Sequence, residues 1–174
     1  SEYYDLQPDL MPIAKGLSSG YLPIGGVLVS DRVADTFIAE GGEFYHGFTY
    51  SGHPACCAAA LENLRIIEEE GVIEHAAEVA PYLQEQWTAL GDHPLVGEAR
   101  MVGLMGAIEL VPAKPSRTAR FDNEGTVGTL CRDNSLKNGL VMRAVRDSMI
   151  ISPPLVITRD EIDQLVARAR QTLD

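Results

Sequence analysis

The chain has 174 residues, of which 45% are hydrophobic and 22% charged. That is the balance of an ordinary folded protein with a buried core, and it excludes disordered and collagen-like chains. Fourteen basic and 25 acidic side chains give a formal charge of −11, which argues against nucleic acid or an anionic membrane surface as partner.

No apolar run approaches the ~18 residues of a bilayer-crossing helix. The first residues, Ser1 to Asp5, lack the basic start and apolar stretch of a secretory signal. Cys56, Cys57 and Cys131 make no C-x-x-C pair, so neither a zinc knuckle nor a thioredoxin motif is available. Three cysteines in this arrangement suit a reducing, cytoplasmic compartment.

In chain order, residues 10–14 are a short apolar run that stops at Lys15 and Gly16, and Gly16 to Gly20 read as a flexible turn. Residues 24–30 predict a buried strand. Asp31 caps a short helix reaching residue 39, ended by Gly41 and Gly42. Residues 43–53 are aromatic, polar and glycine-containing, the texture of a loop. Pro54 suits the first position of a helix over 55–70 that closes at Gly71. A second helix follows over 72–90, with Leu64, Ile67, Val72, Val79, Leu83 and Trp87 on a packed face across the two.

Beyond Gly91 the texture changes. Residues 96–110 predict strand structure, 112–121 a polar loop, 128–138 a helix, and 140–144 and 149–152 short strands. Pro153 and Pro154 turn the chain. Thr158 with Glu161 three residues on is a capping-box pattern that opens a last helix to Leu173. The later portion is a small α+β layer, and a boundary near residue 71 divides the chain into 1–70 and 71–174.

Three segments offer chemistry. Lys15 follows an apolar run, where partial desolvation lowers an amine's pKa. Ordinary lysine, with a pKa of about 10.4, is neutral in about one molecule in 2,500 at pH 7, so a nucleophilic amine needs such help. The same placement also fits a lysine snorkelling from a strand end. The run from Tyr45 to Pro54 crowds hydroxyls, glycines and backbone N–H groups ahead of a helix, which suits an anion such as phosphate, or is simply an aromatic loop. His46 and His53 lack metal-ligand spacing, so no metal is expected. Arg143, on a short predicted strand, can fork onto a carboxylate or hold a structural ion pair.

Together these segments resemble the class III aminotransferases, pyridoxal-phosphate (PLP) enzymes of fold type I, the aspartate aminotransferase-like α/β fold. Residues 8–26, Pro8-Asp9-Leu10-Met11-Pro12-Ile13-Ala14-Lys15-Gly16 and onward to Gly26, resemble the family's cofactor-lysine signature. Residues 47–54, Gly47-Phe48-Thr49-Tyr50-Ser51-Gly52-His53-Pro54, resemble its second signature. Gly139 to Arg143 and Ser152 to Leu155 resemble its small-domain strands. The likeness spans essentially the whole chain and is strongest to the omega-amine:pyruvate type.

The resemblance implies that Lys15 holds PLP as a Schiff base and shuttles the proton during amino transfer from an ω-amine or ω-amino acid to a keto acid such as pyruvate. It implies that Thr49, with the backbone of Phe48, binds the cofactor phosphate of the partner subunit of a homodimer. It gives Arg143 the keto acid's carboxylate. It makes 1–70 the C-terminal part of the PLP-binding large domain and 71–174 the small domain. Family members are much longer, so the resemblance also implies a C-terminal fragment, expected not to be an efficient transaminase alone. Two positions depart from the family pattern: Arg100-Met101-Val102-Gly103 stands for Arg-Gly-x-Gly, and Val145-Arg146 follows the matched arginine where a small residue is common. Rival readings are a class III aminomutase or decarboxylase, which shares the lysine signature, and a non-catalytic dimerisation unit.

Overall fold

The computed structural model describes residues 2–114 and 119–174. The described chain forms two compact units, one up to Glu70 and one from Gly71 to Asp174. Residues 115–118 of the expected polar loop lie outside the described residues.

In the first unit, β1 (Leu10–Ile13) pairs antiparallel with β2 (Gly26–Val29). Helix α1 (Asp31–Thr36) runs on into a wider turn over Phe37–Gly41, and α2 (Pro54–Glu69) carries Pro54 in its first turn. Two expectations fail here. β2 is exposed along its length rather than buried, because among the described residues β1 is its only sheet partner and no second layer of this unit covers it. Nor does Asp31 cap α1: the cap position belongs to Ser30, whose hydroxyl donates to Asp9 Oδ1 at 2.8 Å. Asp31 instead supplies first-turn negative charge, favourable beside the helix's free N–H groups.

The second unit has α3 (Val72–Thr88), β3 (Val96–Val102), β4 (Met105–Leu110), α4 (Thr126–Lys137), β5 (Arg143–Val145), β6 (Ser148–Ile151) and α5 (Arg159–Leu173). The four strands form one antiparallel sheet in the order β3-β4-β6-β5. Alternation along β4 and β6 sends Gly106, Ile108, Leu110, Met149 and Ile151 inward. Ile108, Leu110, Met149 and Ile151 join Leu83, Trp87, Ile162 and Leu173 in one core. Trp87 is fully buried, and its indole N–H donates to the Ala107 carbonyl. Of the helical face expected across α2 and α3, Val72, Val79, Leu83 and Trp87 are buried, while Leu64 is exposed.

The helix ends of this unit are held by named groups. Thr158 and Glu161 make the expected capping box at α5. The N-terminus of α4 is held by Asp147, a buried carboxylate that accepts from the N–H groups of Gly125 and Gly128, both at 2.8 Å. This approach is so close that a Cβ at Gly128 would stand 1.9 Å from the Arg146 carbonyl oxygen, so only glycine fits. No helix among the described residues is long and apolar enough to cross a membrane.

Candidate active site

β1 delivers the chain to Lys15. Ala14 is still extended, and Lys15 then turns left-handed at φ +50° and opens a tight 3-10 turn over Lys15–Ser18. A side chain pays for that conformation through contact of its Cβ with its own backbone, so the turn around it must hold it in place. Leu17 N–H donates to the Ala14 carbonyl at 3.2 Å and Gly20 N–H to the Lys15 carbonyl at 3.3 Å. Ser18 is buried, and its hydroxyl donates to the Leu22 carbonyl at 2.6 Å. From α2, the Asn63 side-chain amide donates to the carbonyls of Gly16 and Leu17 at 2.9 and 3.2 Å.

Lys15 lies in the wall of an open cleft of about 1090 Å³ within the first unit. Leu22, Pro23, Ile24 and Phe48 make much of that wall apolar, and Ser51, His53, Cys56 and Cys57 bring polar groups from the loop and the first turn of α2. The lysine side chain is exposed, which corrects the expected desolvation: the unit forms one open side of a cleft and does not enclose the amine.

The aromatic loop contributes a tight turn. Ser51 N–H donates to the Phe48 carbonyl at 2.9 Å, and the Ser51 hydroxyl accepts from Phe48 N–H at 3.0 Å. Thr49 and Tyr50 are the two central residues of that turn. Phe48, Tyr50 and Ser51 line the Lys15 cleft, and Thr49 does not. Lys15 and Phe48 are thus brought together in one wall, whereas Thr49 is exposed and is not among the lining residues.

Arg143 belongs to the second unit, as the first residue of β5. It is exposed and forms no ion pair with any described residue. The ion pair that a strand arginine commonly makes is made elsewhere on the sheet, by Arg100 with Glu109 at 2.6 Å. Burial pushes the Glu109 carboxyl up, but hydrogen bonds from the Ser148 hydroxyl and Arg100 outweigh it and hold the group below its ordinary value. Burial also pushes the Cys131 thiol up to about 11, which leaves it protonated and unreactive at neutral pH.

Sequence reasoning passed over Asn63, and it weighed Cys56 and Cys57 only for metal and disulfide spacing, not for their place in the cleft wall. The cysteines carry no spacing signal. Asn63 had one: asparagine is a poor interior helix residue, and its place in the middle of α2 calls for a hydrogen-bonding reason.

A profile of the aminotransferase class-III family matches residues 1–173, and the chain belongs to that family. The family comprises PLP-dependent transferases of fold type I, and the mixed helix and sheet seen here follows solved transaminases closely. The putrescine–pyruvate aminotransferase of Pseudomonas aeruginosa is 60% identical over 175 residues, covering 100% of this chain and 38% of that relative. The diaminobutyrate–2-oxoglutarate transaminase of Halomonas elongata is 43% identical over 180 residues, covering 100% and 38% respectively. An (S)-enantioselective omega-transaminase from Thermomicrobium roseum superposes with a TM-score of 0.91 at 41% identity, over 99% of this chain and 38% of that one. The chain therefore spans well under half the length of the relatives it matches.

The cleft suits the family's cofactor on its own chemistry. Lys15 is the only primary amine among the lining residues, as condensation with an aldehyde requires. The surrounding wall is partly apolar, and the cleft is roomy for a cofactor with a small substrate.

Proposed function

We propose that the protein to which this chain belongs transfers an amino group from an ω-amine or ω-amino acid to a keto acid such as pyruvate. The observation that carries this reading is a lysine held in a left-handed turn at the wall of a large cleft. The chain that carries it is 60% identical over 175 residues to an enzyme named for putrescine and pyruvate. When bound, PLP supplies an electron sink for the substrate carbon that carries the amine.

The other roles belong to this chain's residues. The Lys15 amine would hold the cofactor, and its Nζ, when free, would take the proton from the substrate carbon and hand it on. The Ser51 hydroxyl, by accepting from Phe48 N–H, fixes the turn that presents Thr49. The Thr49 hydroxyl would donate to a cofactor phosphate in a second copy of the chain, a reading supported by its exposure and its absence from the lining of the Lys15 cleft. A homodimer is further supported by the exposed aromatics around it, Tyr45, Phe48 and Tyr50 at 88%, 74% and 71% exposure. Arg143, unpaired among the described residues, forks the carboxylate of the keto acid. On this reading the first unit is the end of the PLP-binding large domain and the second is the small domain. A cytoplasmic location is supported by three free cysteines.

The test uses the full-length protein with PLP, a terminal diamine and pyruvate, and measures alanine. Stoichiometric alanine is expected. Replacing Arg143 by Ala should raise KM for pyruvate about 10–100-fold, the loss of a charged hydrogen-bond pair, with KM for the amine unchanged. Carbon dioxide release without pyruvate consumption would contradict the reading.

A further inference from the structure

We infer that Asn63 is a positioning residue for Lys15: from α2 its side-chain amide grips the two carbonyls that follow the lysine and fixes the turn that sets the amine at the cleft wall. The inference rests on the reading of Lys15 as the amine that does the chemistry.

Four observations carry it. Lys15 is left-handed at φ +50°, a conformation that persists only where its surroundings over-determine it. The bonds from Leu17 and Gly20 that stabilise the turn are internal to it, so they set its shape without setting its place. Among the described residues, Asn63 is the only side chain from outside residues 14–22 that hydrogen-bonds the turn. Finally, α2 holds the turn from its middle, while its first turn, through Ala55, Cys56 and Cys57, forms part of the same cleft wall. A rigid helix attached at both places fixes the distance between the amine and that wall. Asparagine has the right chemistry, because one amide nitrogen has two hydrogens for two successive carbonyls.

The experiment compares Asn63→Ala, Asn63→Asp and Asn63→Gln in the full-length, PLP-loaded protein. Aspartate keeps the shape but cannot donate when ionised, and it turns oxygen toward oxygen; glutamine keeps the donor. Ala and Asp should each lower kcat about 10–100-fold, the cost of misplacing a reacting group, with KM for the amine within about twofold. Both should also move the pH midpoint of the visible absorbance band, while Gln recovers part of kcat. Arg65→Ala, on the same helix but paired with Glu62 and Glu69 in solvent, should move neither.

A wild-type midpoint and kcat in both Ala and Asp would overturn the inference, as would a kcat that falls only with Tm while the midpoint stays fixed. Should Asn63→Ala fail to fold, the Asp and Gln pair makes the same comparison. A visible band that survives Lys15→Ala would overturn the reading of Lys15 itself, which is a separate outcome.

Discussion

The two units divide stability and chemistry between them. From Gly71 onward the sheet and its helices enclose Leu83, Trp87, Val96, Ile108, Met149 and Ile162 with almost no solvent contact. Before it, Ala60 is the only buried hydrophobic residue among the described residues, while Val27, Leu28, Val29, Phe44 and Tyr45 are exposed. Yet it is this thinly cored unit that holds Lys15, the cleft and the Thr49 turn. Buried apolar area is what stabilises a domain, at about 25 cal/mol per Å². The first unit lacks that area and leans on local turns and a few tethers, so its geometry depends on individual hydrogen bonds in a way the second unit's does not.

The sharpest break of this contrast is a pair of substitutions. On the proposed reading, in which one group serves as both anchor and acid–base catalyst, Lys15→Ala in the full-length protein should cut amino transfer by at least about 10³-fold. It should leave the melting of the second unit unchanged by calorimetry. Trp87→Ala should do the reverse. It removes the largest fully buried side chain and should cost about 3–5 kcal/mol in urea unfolding.

Smaller effects sharpen the contrast. Asp147→Ala strips the N–H groups of Gly125 and Gly128 of their acceptor and should cost about 1–3 kcal/mol. Leu28→Ala, at a position 52% exposed, should stay within about 0.5 kcal/mol in this chain by itself. A clearly larger loss in the full-length protein would show that this strand face becomes covered there.

The smallest effect is a pH dependence. Glu109 is held below its ordinary value of 4.5. Its contribution is therefore complete above that value and lost as pH falls through the lower folded value, where the unfolded state binds the extra proton. The urea midpoint of the second unit should fall on acidification below 4.5, less steeply in Glu109→Gln.

What was legible in the sequence follows the same division. Helix ends are written locally, so Pro54 at the start of α2 and the Thr158–Glu161 box at α5 appear where the residue chemistry puts them. Strand texture over 96–110 and near 149–152 was legible too, but not the left-handed Gly103 and Arg146 that turn these stretches into hairpins. The family was legible too, because the lysine and loop signatures are contiguous. What the sequence hid is set by partners distant along the chain. A run such as Gly26–Val29 reads as buried whether or not a second layer covers it, and here none in its unit does. The Asp147 cap of α4 joins groups 22 and 19 residues apart. The Asn63 tether crosses 47 residues, beyond any local pattern.

Borohydride reduction of the PLP-loaded full-length protein, followed by peptide mass mapping, tests the central claim most directly. The account predicts a single stable cofactor adduct on the Lys15 peptide, with Lys114 and Lys137 unlabelled. Equal labelling of the three lysines, or none at Lys15, would contradict it.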